Sequence, residues 1–276
     1  MSVDQTTARP TAQGLSAQRE TVLLTVAAIR EDLAAPHLLA DMAASGFYSQ
    51  FHFHRFFTRH TGTTPGRFLT ALRMQEAKRL LAHTSATVMS VSDQIGYQSI
   101  GSFTTQFTRL VGTSPGRFRE LVDTLAGHRL TDPDLDRARS ADQRPLDCSL
   151  SVAEGVGSDL TGRVSFVGLF DAGLPQGGLS GFGIVQGSSG TVTAGAPAGP
   201  RPGQRELFLM SLPASAGLTD LAVGGGEGLL VSRGHVADGG EGADLTLRET
   251  GPLDPPVVSA APALHLRSFL GRGPRR

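Results

Sequence analysis

Apolar positions in the first half of the chain fall at helical spacing. Leu39, Met42 and Ala43 lie three and four apart, Gly46 follows as a residue free to turn with positive φ, and Ser49 is placed to cap the next helix through its hydroxyl. Phe53 and Phe57 then mark the inner side of that helix, leaving Gln50, Phe51, His54, Arg55 and Thr58 on the other. Thr64-Pro65 supplies a capping hydroxyl followed by proline at the first helical position, opening a helix to about His83 with Leu69, Leu72, Ala77, Leu80 and Leu81 as its apolar positions.

The pattern then repeats. Ser49, Phe53, Phe57, Thr58, Arg59, Gly62, Thr63, Pro65, Gly66, Arg67 and Phe68 recur fifty residues later as Ser99, Phe103, Phe107, Thr108, Arg109, Gly112, Thr113, Pro115, Gly116, Arg117 and Phe118. Upstream, Leu39, Met42 and Ala43 match Val88, Val91 and Ser92 at an offset of 49, so the second copy carries one more residue in its turn. Each copy reads as helix, turn, helix, and the helix from Pro65 joins them. The outer face in the second copy carries Gly101, Ser102, Thr104, Thr105 and Thr108.

Beyond residue 130 the period changes. A charged stretch without periodicity, 129–149, reads as a linker. After it come short apolar or alternating runs between Gly and Pro: Arg163 to Phe170, Gly181 to Val185, Glu206 to Leu212, Gly228 to Val236, Asp244 to Arg248 and Val257 to Leu266. These predict an all-β sandwich or barrel over 150–271, with tails at 1–15 and 272–276 and the helical domain at 16–128. The fold class expected is thus multidomain: an all-α, homeodomain-like double helix-turn-helix followed by an all-β domain.

Composition sharpens that division. Nine of the 14 Phe precede residue 131, whereas 26 of the 35 Gly and 12 of the 16 Pro follow it. The net charge of zero is the sum of +4 over 1–130 (13 Lys and Arg, 9 Asp and Glu) and −4 over 131–276 (12 and 16). Zero overall excludes a polybasic, histone-like chain, but the helical half has the basic surplus that nucleic acid requires. One cysteine, Cys148, excludes a disulfide framework and a multi-thiolate zinc site. The apolar run Thr21 to Ile29 is about half the ~20 residues that cross a bilayer, and no basic leader precedes it, so a cytoplasmic protein away from membranes is expected.

The segments Ser49-Gln50-Phe51-His52-Phe53-His54-Arg55-Phe56-Phe57 with Gly62-Thr63-Thr64-Pro65, and Ile95-Gly96-Tyr97-Gln98-Ser99 with Ser102-Phe103, Phe107 and Gly112-Thr113-Ser114-Pro115, resemble the AraC/XylS family of bacterial transcription regulators. The resemblance spans roughly Ser16 to His128. It implies one chain whose two recognition helices enter adjacent major-groove segments about 34 Å, or ~10 bp, apart. Base contacts would come from Phe51, His54, Arg55, Gly101, Ser102, Thr104 and Thr105, and phosphate contacts from Ser49, Gln50, Thr58, Arg59, Ser99, Thr108 and Arg109. Arg55 has the planar fork that pairs with guanine O6 and N7, whereas the second face offers only short hydroxyls and a glycine. Ser92 stands where the family has a core alanine, and Asp93 adds a negative charge before the second recognition helix. The partners implied are double-stranded DNA carrying a bipartite operator, RNA polymerase and a small-molecule effector.

Other chemistry is not indicated. His52, His54 and His60 cannot chelate one ion, because helical residues two apart point roughly 160° apart, so neither a metal nor a cofactor is expected. Gly178-Leu179-Ser180-Gly181-Phe182 lacks the last glycine of a nucleophile elbow, Gly181-Phe182-Gly183 lacks the third glycine of a dinucleotide loop, and His235 beside Asp238 lacks a nucleophile. Cys148 has no activating histidine beside it. The chain is read as a regulator and not an enzyme. Its rivals are a DNA-binding domain fused to a β-sandwich ligand-binding or enzymatic module of unrelated function, and an architectural protein that bends DNA.

Overall fold

The computed structural model describes residues 12–130, 145–152, 160, 162–170, 176, 181–186, 189–193, 205–236, 243–268 and 270. Seven helices come first: α1 (Ala12–Glu31), α2 (Leu39–Ser45), α3 (Gln50–Thr61), α4 (Pro65–His83), α5 (Val88–Gln94), α6 (Ile100–Val111) and α7 (Pro115–Leu125). Helix α1 begins inside the stretch expected to be a tail. The starts of α3, α4, α6 and α7 lie where the capping residues put them. The Oγ of Ser49 accepts from His52 N, that of Ser99 from Ser102 N, and that of Ser114 from Arg117 N, while Thr64 Oγ1 accepts from Arg67 N.

The duplication extends to the packing of rings. Phe57 meets Phe68 edge-on at 5.6 Å, and Phe107 meets Phe118 edge-on at 5.7 Å. Phe53, Phe57, Phe103 and Phe107 are all fully buried, as their spacing requires. An arginine in the helix after each unit fastens the loop before it. Arg73 donates to Leu33 O and Ala35 O, and Arg119 donates to Leu81 O and Ala86 O. Arg73 also lies 5.8 Å from the ring centroid of Tyr97, joining one unit to the other.

The second half contains strands β1 (Pro145–Val152), β2 (Arg163–Phe170), β3 (Gly181–Gln186), β4 (Ser189–Thr193), β5 (Arg205–Pro213), β6 (Leu230–Val236) and β7 (Ala243–Glu249). They form one sheet in the order β3-β2-β5-β6-β7-β1-β4, antiparallel except where β1 runs parallel to β7. Strands β3 and β4 stand at opposite ends of that order yet are separated by two residues in the chain, so the sheet curls back on itself. One face, with Val164, Phe166, Phe208 and Met210, packs on helices, while Val167, Leu207, Leu209 and Leu247 are buried on the other.

Two features depart from the all-β expectation. A short helix α8 (Leu218–Val223) follows β5, and the segment read as a strand over 257–266 ends in helix α9 (Ala261–Arg267). Pro255 and Pro256 precede that segment and Pro262 sits in the first turn of α9. Proline has no N–H for a ladder but suits a helix start, so apolar content alone misdirected the reading.

The ends of the expected linker are structured. Arg129 bridges Gly217, Leu130 N donates to Ala216 O, Leu218 N donates to His128 O, and residues 145–149 belong to β1. Residues 131–144 lie outside the described residues, as do 1–11, 271–276, Gly178–Ser180 and Asp238, and with them part of the tails and glycine motifs considered above.

A continuous core joins the halves. Met74, Leu81, Phe103, Phe118 and Leu121 belong to the same buried cluster as Phe166, Phe208, Leu218, Leu221, Val258 and Leu266. The backbone adds a bond from Ala260 N to Val111 O at the end of α6. The first unit has its own cluster around Phe53, Phe56 and Phe57, against which Leu253 of the second half packs.

Candidate DNA interface

Helices α3 and α6 are twelve residues each and end identically, at a left-handed glycine whose N–H returns to a threonine carbonyl: Gly62 (φ 72) to Thr58 O and Gly112 (φ 92) to Thr108 O. In α3 the residues Phe51, Arg55 and Arg59 are exposed at successive turns, with His54 half-buried beside them. In α6 the exposed residues are Ile100, Gly101, Ser102, Thr105, Thr108 and Arg109, with Thr104 half-buried. Ser49, Gln50 and Ser99 are exposed at the two helix starts. The exposed turns of both helices face away from the second half, which packs on α4, α7 and the inner sides of α3 and α6, bonds the end of α6 through Ala260 N and Val111 O, and reaches the end of α3 where the Arg233 guanidinium closes on Gly62.

Local bonding divides the candidates. The Thr58 hydroxyl is buried without a partner, so as placed it is turned away from a phosphate. Thr108 Oγ1 donates to Thr104 O, and Arg109 donates to Gln106 Oε1 at 3.0 Å. Arg55 has no such partner among the described residues and is the arginine of α3 aimed outward in the middle of the helix. His52 is structural: it stacks on Tyr48 at 5.4 Å and lies 3.2 Å from Gln18 Nε2. Burial, with Arg59 and Arg19 nearby, holds the His60 imidazole below the usual histidine range. Among the described residues no cluster of His, Cys, Asp and Glu could hold a metal.

The turn before α3 differs from expectation, whereas the turn before α6 has its positive φ on glycine as the repeat implies. The positive φ in the first unit falls on Phe47 (φ 59), while Gly46 sits at φ −103. Gly46 is instead needed for closeness, since a Cβ there would lie 2.6 Å from Thr21 Cγ2 of α1. In the second unit Gly96 (φ 81) occupies the position matching Phe47 at the offset of 49. Phe47 therefore holds a conformation that costs a non-glycine residue about 1–2 kcal/mol, with its ring 99% exposed. Ser92 is buried with its hydroxyl unpartnered, a penalty an alanine would avoid.

Two exposed faces of matching geometry, set on one connecting helix, define a DNA-binding domain built of paired helix-turn-helix units. A family model described as "Helix-turn-helix domain" matches residues 42–121. An uncharacterized HTH-type transcriptional regulator of Haemophilus influenzae is 40% identical over 65 residues, 24% of this chain and 21% of that protein. The HTH-type transcriptional activator RhaS of Escherichia coli O139:H28 is 34% identical over 91 residues, 33% of this chain and 32% of that protein. Among solved structures, the DNA-binding domain of AdpA in complex with a target DNA is 29% identical with a TM-score of 0.35, covering 36% of this chain and 90% of that one. The helical half of the chain is thus similar, over residues 42–121, to the helix-turn-helix domains of bacterial transcriptional regulators. The chain spans between a fifth and a third of the length of these curated relatives.

Proposed function

We propose that the chain is a sequence-specific transcription regulator in which α3 and α6 read adjacent major-groove segments and the second half holds the two units in register. The observation that carries this reading is the pair of outward faces fifty residues apart, with equal helix lengths, equal caps and equal ring packing behind them. Phe51, His54 and Arg55 contact base edges in the first half-site, and Gly101, Ser102, Thr104 and Thr105 fit against methyl groups and sugar edges in the second. Ser49, Gln50, Arg59, Ser99, Thr108 and Arg109 set the position on phosphates. The partners are a bipartite operator and, through a surface outside both faces, RNA polymerase in the cytoplasm.

The core that runs from α4 and α7 into the sheet favours this reading over a fused, unrelated module, which would need no shared interior. We take the curled sheet to be a barrel-like scaffold whose outer face is that shared interior. Selection of bound fragments from random DNA with the full chain tests the proposal. A motif of two blocks about 10 bp apart is expected. Absence of any enriched motif overturns it.

A further inference from the structure

Two adjoining cavities lie between the helical half and the second half. One, of about 420 Å³, and its neighbour, of about 440 Å³, share the walls formed by Arg30 of α1, Gln75 of α4 and the glycines 225 and 226 that follow α8. Each is of the size that takes a small molecule.

Several polar groups on these walls have no partner within the protein and face the cleft or solvent. Neither the Arg30 guanidinium nor the Gln75 amide has a hydrogen-bond or ion-pair partner among the described residues. Arg30 is partly desolvated, which pulls it below the ordinary arginine range. Opposite them, the run Gly224-Gly225-Gly226-Glu227-Gly228 bends through positive φ at Gly224, Gly226 and Gly228. The N–H groups of Gly224 and Gly225 are taken by Asp220 O, while those of Gly226 and Gly228 have no acceptor among the described residues. Asp254, a carboxylate on the same wall, is held by both terminal nitrogens of Arg248 at 2.6 Å and by Gly251 N. The cavity of about 420 Å³ thus gathers a cation, an amide and backbone N–H groups that have no acceptor among the described residues, on a wall that also carries the carboxylates of Glu249 and Asp254.

We propose that this cleft binds a small anion, a phosphate or carboxylate group carried on a compact polar molecule, with Arg30 and Gln75 on one side and the amides of Gly226 and Gly228 on the other. A charged acceptor is what this donor set lacks, and hydrogen bonds to charge are the stronger kind. The walls come from both halves of the chain, so an occupant fastens α1 and α4 to the loop after α8. The site does not depend on the DNA-binding reading, because it is tested on the protein alone.

Isothermal titration of the full chain with inorganic phosphate and, separately, with citrate, at matched ionic strength, distinguishes the two headgroups. Saturable binding of one ion per chain is expected for at least one probe. Arg30→Gln weakens it at least about tenfold and Gln75→Ala weakens it less, while Arg117→Gln on the exposed face of α7 leaves it unchanged. Thermal melts without ligand verify that each variant folds. Absence of saturable binding with both probes overturns the proposal. So does an affinity that folded Arg30→Gln leaves intact, or one that Arg117→Gln lowers equally.

Discussion

Lys78 makes the junction between the halves sensitive to pH. It lies in the middle of α4, fully buried, with Nζ donating to Val257 O at 2.9 Å and to Ala222 O at 3.3 Å. A neutral amine has two protons for those two carbonyls, whereas the ammonium would bring a third proton and a buried charge without a carboxylate. Burial accordingly lowers its pKa from 10.5 to about 7. Between those values the unfolded chain holds a proton that the folded chain does not, so stability rises with pH through that window and is level below it. At 1.36 kcal/mol per pH unit, and allowing for half-protonation near the folded pKa, the wild type gains about 2 kcal/mol from pH 7 to pH 9 through this residue. Lys78→Met fills much of the same volume and has nothing to titrate. Urea melts of both full-length proteins from pH 6 to 9.5, compared as a difference, cancel the other groups. The wild type is expected to gain on the variant by about that amount between pH 7 and 9 and to show no trend below pH 6.5. A difference that stays constant from pH 7 to 9 refutes the argument, because Lys78 would then keep the same protonation on folding.

Four further outcomes follow from the geometry. Arg55→Ala is expected to cost about 1–3 kcal/mol on the selected operator and to relax preference at one base pair, measured by binding to single-base operator variants. Arg109→Ala is expected to weaken selected and random DNA alike and to reduce the slope of log affinity against log salt by about one. Phe47→Gly relieves a left-handed phenylalanine whose ring packs on nothing, offset by the freedom glycine gains when unfolded, so melting is expected at an equal or higher denaturant midpoint, by up to about 1 kcal/mol. Gly96→Ala is expected to lose more than about 1 kcal/mol, since its Cβ would fall 2.5 Å from Ala34 O at a φ of 81°.

The helical half was legible because its signals are local and doubled. Ser49, Ser99, Thr64-Pro65 and Ser114-Pro115 announce helix starts through hydroxyls that bond within three residues, and the phenylalanines mark the buried side without reference to any distant segment. What sequence missed depended on contacts far apart in the chain. Nothing in the sequence sets Lys78 apart, and its burial follows from the carbonyls of Ala222 and Val257, more than a hundred residues away. Gly46 reads as the turning residue, but the approach of Thr21 reserves it and passes the left-handed position to Phe47. In the second half β2 was predicted with its exact ends, while β1, β4 and α8 were not anticipated, since Ser, Asp, Thr and Gly give weak alternation and pairing decides their state. The outward faces of α3 and α6 were read as candidates from the repeat, but the inward turn of the Thr58 hydroxyl requires the rotamer.

The shared interior also bears on how such a chain can change over generations. A reading head joined by a tether can be exchanged for another, and each half can then drift alone. Here the inner side of α4 answers both to the helices that flank it and to the sheet behind it, so a substitution at Met74 or Lys78 must suit two neighbourhoods at once. The outer turns of α3 and α6 lie outside that shared interior, and there a side chain can be replaced without consulting the rest of the molecule.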